Sequence, residues 1–322
     1  MHRFLMLDIG AGTLDILYYD AESSLQYKAV VRSPVLTVAE KAAATSGHLL
    51  VKGVEMGGGP ISEVLKARAR QAHVVMTTSA SATLHHDPDQ VRAWGIDVLD
   101  DDKVDRYASD PAFSTLTLSD LELDRIERIV RDFGVPFSFD AVGICAQDHG
   151  VPPKGVSHLD FRNALFKSRL DESPFPDHLL FRADEIPAPF NRLRSIAGSA
   201  EKIPAKEIYV MDSGMAAILG ASLDPQAALK KKIMVLDIAT SYTVGATIEQ
   251  GALAGLFEYH TRDITLERLE QLMVDLGDGK LEHKRILEEG GHGAYIRKAL
   301  GFKNVDILVA TGPKRKLLQG SR

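Results

Sequence analysis

The sequence predicts a mixed α/β protein of two lobes, residues 1–205 and 206–322, and two observations carry that prediction. The apolar run Arg3 to Ile9, which closes on Leu7-Asp8-Ile9, returns as Ile233 to Ile238, which closes on Leu236-Asp237-Ile238. Each copy is followed by two further runs of strand period, so a three-strand antiparallel opening occurs twice. A chain of 322 residues is also long enough for about two cores by the usual size prior.

The first copy delivers Asp8 to a strand end, where Gly10 and Gly12 allow a tight turn with φ > 0. A dinucleotide-binding fingerprint would continue as a helix. Here Leu14, Ile16 and Tyr18 alternate with Asp15, Leu17 and Tyr19, so the turn closes a β-hairpin. A glycine turn with bare N–H groups, the Thr13 hydroxyl and the carboxylates of Asp8 and Asp15 can hold a phosphate tail and its Mg²⁺. An ordinary glycine-rich hairpin is the competing reading. Leu25 to Arg32 forms the third strand, with Leu25, Tyr27, Ala29 and Val31 on one face and Gln26, Lys28, Val30 and Arg32 on the wetter one.

Pro34 opens a helix that runs through the Ala-rich stretch 38–45 to Gly47, and a fourth strand, His48 to Met56, ends in Gly57-Gly58-Gly59-Pro60. These glycines precede a helix with Ile61, Leu65 and Ala69 on one face, which makes them a second candidate anion cradle or a tight strand-to-helix connection. His73 to Thr77 is a short strand, followed by short helices over 79–84 and 89–94. Asp97 to Arg106 reads as a solvated turn; its acids are consecutive and lack the alternation, central Gly and distal Glu of a calcium loop. Leu121 to Phe133 is a helix that Asp120 can cap and Gly134 ends. It leads into the buried strand Phe139 to Ala146, and Gln147-Asp148-His149-Gly150 gathers polar chemistry at that strand's end. His149 is equally a hydrogen-bonded loop histidine. Phe161 to Leu170 is helical, and four prolines, at 174, 176, 187 and 189, keep the stretch to Asn191 irregular.

The rhythm restarts at Glu207. The strand Ile208 to Met211 ends at Asp212-Ser213-Gly214 and feeds the small-residue helix Met215 to Ala221, so Asp212 is a helix cap or a catalytic acid. In the second copy Thr240, Ser241 and Thr243 replace the glycine turn after Asp237, and the strands 242–249 and 252–259 meet at Gln250-Gly251. Helices over 266–276 and 282–289, the loop Gly290-Gly291-His292-Gly293 and a late strand Val305 to Ala310 ending in Thr311-Gly312 complete the chain.

Composition narrows the function classes. With 45% hydrophobic and 25% charged residues the chain is globular, and a formal charge of −6 disfavours nucleic-acid partners. No apolar run of membrane-spanning length occurs, and Arg3 passes straight into a strand with no secretory segment, so a cytoplasmic location and no membrane partner are expected. The single cysteine, Cys145, lies in the apolar run 141–146 and is expected to be a buried structural thiol. It permits no intramolecular disulfide and cannot by itself hold an iron–sulfur cluster.

Two hairpin-bearing lobes with a small-residue helix and a closing glycine turn resemble the superfamily of sugar kinases, heat-shock chaperones and actin. The resemblance implies two RNase H-like, actin-like ATPase lobes around a central cleft. Asp8 to Asp15 is similar to its first phosphate loop, Asp237 to Thr243 to its second and Thr311-Gly312 to its adenosine-side turn. Gln147 to Gly150 resembles the Gln-Met-His-Gly turn of the sugar-kinase branch. Implied with it are ATP or another nucleotide with Mg²⁺ on Asp8 and Asp237, nucleotide contacts from Gly10, Gly12, Thr13, Asp15, Thr240, Ser241, Thr243, Thr311 and Gly312, which the cradle of Gly57, Gly58 and Gly59 would join, and a catalytic Asp212 or Asp148. The chain is also similar to a prokaryotic family sometimes labelled a pyruvate formate-lyase activating enzyme, through Glu55 to Pro60 and Gln147 to Gly150. Radical activation would require a three-cysteine cluster motif, which one cysteine cannot form. The expected function is therefore a nucleotide-binding ATPase or phosphotransferase acting on a small-molecule acceptor or client protein. A nucleotide-regulated switch, or a metabolite-binding pseudo-enzyme without phosphoryl transfer, is the alternative.

Overall fold

The computed structural model describes residues 2–321, apart from the side chain of Asp263. The chain divides into two compact units, Met1–Lys154 with Arg182–Val210, and Gly155–Phe181 with Met211–Arg322.

The first unit opens with β1 (Arg3–Ile9), β2 (Thr13–Asp20) and β3 (Leu25–Arg32). It continues through β4 (His48–Gly53), β5 (Val74–Thr77), β6 (Asp97–Leu99), β7 (Phe113–Leu118) and β8 (Phe139–Ala146). After β9 (Leu180–Arg182), where the chain passes back from the second unit, comes β10 (Ala205–Met211). The main sheet runs β3-β2-β1-β8-β10; β1 pairs antiparallel with β2 over its whole length and parallel with β8. Alternation explains the sheet: Leu5, Leu7 and Ile9 of β1 and Leu14, Ile16 and Tyr18 of β2 all point into one buried face.

A second sheet, β6-β5-β4-β7, is parallel throughout and backs the core of Val38, Leu49, Val51, Ile61, Leu65 and Met76. The strand Asp97–Leu99 corrects the expected solvated turn. Val98 is buried against β5, and the aspartates that follow it form the short helical turn Asp101–Lys103. Asp120 likewise does not cap the next helix, which begins at Leu123 with Glu122 at its N-cap. Cys145 is half-buried rather than fully enclosed.

The second unit carries β11 (Lys232–Ile238), β12 (Tyr242–Glu249), β13 (Ala252–His260), β14 (Gly293–Ile296) and β15 (Ile307–Thr311) in the order β14-β13-β12-β11-β15. The late strand starts two residues beyond the expected Val305. β12 and β13 are buried along nearly their whole length, and the helix Leu266–Gly277 packs Leu269, Leu272 and Leu276 into the core of this unit. The two main sheets share one plan. In each, three antiparallel strands in sequence are joined by a later strand parallel to the first, β8 in one unit and β15 in the other. The repeated Leu-Asp-Ile strands predict the two openings, and the arrangement is the duplicated RNase H-like, actin-like ATPase fold that the resemblance implies. Among the described residues no helix is long and apolar enough to cross a membrane.

Candidate functional site

In the first unit the hairpin turn is closed by the Gly10 N–H donating to the Thr13 carbonyl (2.9 Å). Gly10 does this without entering the left-handed region. Ser33 then ties the turn to the next helix, Pro34–Ala44. Its N–H donates to the Gly12 carbonyl (3.1 Å), its Oγ donates to the Gly10 carbonyl (2.6 Å), and the same Oγ accepts from Val35 N as the helix cap. Asp8 and Asp15 are directly opposite on β1 and β2. Two carboxylates facing each other across a ladder repel unless a cation intervenes.

The Gly57–Gly59 loop adjoins this turn through Val35. A Cβ at Gly57 would lie 2.6 Å from Val35 Cγ2, a Cβ at Gly58 would lie 2.7 Å from the Thr83 carbonyl, and Gly59 has φ +47°. Each therefore needs glycine for a separate reason. The helix Pro60–Ala69 that follows has no side-chain cap. Two of the expected phosphate loops are thus neighbours within one unit.

Behind the loop lies a polar network that sequence reasoning missed. Its hub is the first turn of the helix Asn191–Ala200, which caps itself with no side chain. Arg192 grips Asp120 with Nε and Nη2 (2.8 and 2.9 Å) and donates through Nη1 to the Gln147 carbonyl (2.8 Å). Asp120 also accepts from Gly57 N–H (3.2 Å). Asn191 donates to Glu55, whose other oxygen meets His86 Nε2 at 3.0 Å. Asp148 caps this helix from outside: it accepts from Leu193 N (2.9 Å) and from Gly150 N (2.8 Å). Asp148 is 2% exposed, and burial, with the Glu55 charge adding to it, overcomes these N–H groups and the Arg192 charge to push its pKa up to about 6. Burial acts to lower the pKa of His86, but the Glu55 bond and charge prevail and hold it above the usual value.

In the second unit Asp212 takes the capping role that the sequence allowed and adds an ion pair. It caps the helix Ser213–Ser222 by accepting from Gly214 N (3.0 Å) and Met215 N (3.4 Å), and its Oδ2 accepts from Arg162 (2.9 Å). Arg162 also binds both oxygens of Glu258 (2.7 and 3.2 Å), and all three side chains are buried. Burial would raise Glu258, yet the guanidinium keeps it below the ordinary range. His292, from the Gly290–Gly293 loop, packs tilted against Tyr242 and edge-on to His260, with centroids 4.5 and 4.6 Å apart, and is pushed down to about 4 by burial. Arg162, Phe166, Glu258, His292 and Tyr295 line a small pocket there.

Asp237, Thr240–Thr243 and Thr311-Gly312 come together at the ends of β11 and β15. Asp237 lies beside Thr311 in the parallel register. Gly312, at φ +91°, packs so closely that a Cβ would sit 2.4 Å from the Ile238 carbonyl and 2.8 Å from Asp237 Oδ1. Lys314 donates from N to the Ile238 carbonyl and from Nζ to the Thr240 carbonyl, each at 3.0 Å. Burial raises the Asp237 pKa to about 6. Thr243 is fully buried and bonds Thr261, so Thr240 and Ser241 are the hydroxyls of this turn that reach the surface. Among the described residues no group of three or more His, Cys, Asp and Glu could hold a metal. A Mg²⁺ ion, which keeps most of its water and takes one or two carboxylates plus phosphate oxygens, fits such single acids at strand ends.

A family model described as "Putative pyruvate format-lyase activating enzyme (DUF1786)" matches residues 56–317, from the glycine loop to beyond the Gly312 turn. The chain belongs to this family. No curated protein matches it. Among solved structures, the ROK hexokinase from Thermus thermophilus is 12% identical, with 78% of this chain and 47% of that one covered at a TM-score of 0.29. A protein of actin-like ATPase fold and unknown function from Bacteroides thetaiotaomicron is 9% identical (84% and 75% covered, TM-score 0.34). The PPX-GPPA enzyme of Aquifex aeolicus is 8% identical (87% and 62% covered, TM-score 0.31). This family member spans about half the length of the Thermus hexokinase, and likenesses of this size carry no argument about its activity.

Proposed function

We propose that this protein binds a magnesium nucleotide through the residues that follow its Leu-Asp-Ile strands and directs its terminal phosphate to a small-molecule acceptor or to water. One observation carries the reading. The aspartate of Leu-Asp-Ile recurs at the penultimate position of the first strand in both units, each time between an antiparallel hairpin partner and a parallel strand end. Asp8 stands opposite Asp15 in the ladder, and Asp237 is driven by burial toward its protonated form, where a bound cation would favour the charged carboxylate.

In this reading Asp8 and Asp237 hold the metal. The backbone and hydroxyl groups of Gly10 to Thr13, Gly57 to Gly59, Thr240 and Ser241, with Thr311-Gly312, hold the nucleotide. Bound Mg²⁺ would offset phosphate charge that the aspartates otherwise repel. Asp148 and Asp212 are the two candidates for moving the acceptor proton; both cap a helix start, Asp212 is also bonded to Arg162, and Asp148 is pushed up to about 6 by burial. The activity in the family's description is not part of the proposal, since these 322 residues contain one cysteine.

Calorimetry with ATP and ADP, with and without Mg²⁺, tests the binding. The expected result is heat of binding only when the metal is present; no binding in any condition overturns the reading. Phosphate release with Mg-ATP and candidate acceptors then separates an enzyme from a switch that binds without turnover.

A further inference from the structure

The strand β3 has the alternation of a strand with one covered face, yet the molecule leaves that face half open. Leu25, Tyr27, Ala29 and Val31 lie on the core side of the sheet, in register with Asp20, Tyr18, Ile16 and Leu14 of β2. Tyr18, Ile16 and Leu14 are buried, while Leu25 is 52% and Tyr27 36% exposed. On the other face Val30 is 63% exposed beside Leu17, Met6 and Tyr19 of the same sheet. β3 is the terminal strand of its sheet, eight residues long, with an unbroken register and no proline. Such an edge is usually blunted by bulges, prolines, inward charges or a covering element, and a long flat one offers its free backbone groups to another strand.

We propose that β3 pairs antiparallel with β3 of a second copy of this chain, about a two-fold axis at Ala29, so that two main sheets become one. The residues select this register. Only a two-fold axis on a residue keeps the core face of both copies on the same side, because a one-residue slip turns every side chain over. Centring on Lys28 would set two ammonium groups against each other, and centring on Tyr27 would leave Val30 to Arg32 unpaired. At Ala29, Tyr27 of each copy meets Val31 of the other on the core face, the aromatic and β-branched pairing that stabilises ladders. On the outer face Lys28 of each copy lies opposite Val30 of the other. Asp15 is the next residue in that row, in register with Val30, so the lysine stem crosses the exposed valine and its ammonium meets a carboxylate. Charge and shape are therefore complementary to the strand's own copy.

Sedimentation velocity of the full chain over a concentration series tests this. The wild type is expected to sediment at twice the chain mass at the upper concentrations. Val30→Lys, a substitution on an exposed side chain, sets like charges opposite each other twice across the axis and is expected to give monomer with an unchanged circular dichroism spectrum. Adding Lys28→Glu to that variant restores an opposite-charge pair in this register alone and is expected to restore the dimer. A wild type that is monomeric throughout, a dimer indifferent to Val30→Lys, or a double variant that stays monomeric overturns the proposal.

Discussion

Each unit sets one arginine among acids, Arg162 buried and Arg192 half-buried, and the two clusters treat their acids differently. Arg162 bonds directly to both Asp212 and Glu258, and Glu258 remains charged although it is buried. Arg192 bonds Asp120 and the Gln147 carbonyl, and Asp148, which accepts from the Leu193 and Gly150 N–H groups, is pushed by burial up to about 6. At Glu258 the guanidinium outweighs burial, whereas at Asp148 burial outweighs the backbone N–H groups and the Arg192 charge. One cluster is a brace. The other stores a proton next to a glycine loop.

The sharpest way to break the comparison is to remove the brace. Arg162→Met leaves two buried carboxylates without a counter-charge and is expected to cost about 3–5 kcal/mol, the range for a buried pair that loses one partner. Urea unfolding of the full chain measures it, and a loss below about 1 kcal/mol would mean that the acids find other partners or take up protons cheaply. Asp212→Asn keeps a side chain able to cap the helix but loses the charged bond, so a smaller loss of about 1–3 kcal/mol is expected with Mg-nucleotide binding retained. A fall in turnover with stability unchanged would instead make Asp212 the proton acceptor.

Asp148 provides the next contrast, and its sign is opposite to that of a salt-bridged acid. Its folded-state pKa of about 6 lies above the ordinary aspartate value, so between that value and pH 6 the folded chain binds more protons than the unfolded one. Stability from this group is complete at acid pH and is lost as pH rises through about 6, by on the order of 3 kcal/mol. Asp148→Asn should flatten that part of the stability–pH curve. An unchanged slope would place the retained proton elsewhere in the network.

The fold and the site were legible to different depths. Both three-strand openings show in the sequence because period-two alternation is local, and the glycines and Leu-Asp-Ile repeats mark strand ends for the same reason. The strand Asp97–Leu99 is masked by the aspartates just beyond it, since three residues are too few to show a period. The networks are hidden for a different cause. Arg192 and Asp120 are 72 residues apart, Arg162 and Glu258 96, and no local pattern pairs them. Asn191 and Arg192 follow a proline-rich stretch that reads only as irregular, although Glu55, their target, already stands next to the conspicuous glycines.

The smallest effect on the fold belongs to the two repeated aspartates, and this makes them the cleanest probes of ligand binding. Without ligand, Asp8→Ala removes an exposed carboxylate that stands opposite Asp15, and Asp237→Asn removes a charge that burial disfavours. Both variants are expected to leave stability unchanged or to raise it by about 1 kcal/mol at neutral pH. With Mg-nucleotide present the order reverses, because the wild type gains stability from binding and the variants do not. Thermal unfolding with and without Mg-ADP reads both halves in one experiment. Variants that lose stability in the absence of ligand would show these acids to be structural, and variants stabilised by Mg-ADP as much as the wild type would remove Asp8 and Asp237 from the proposed site.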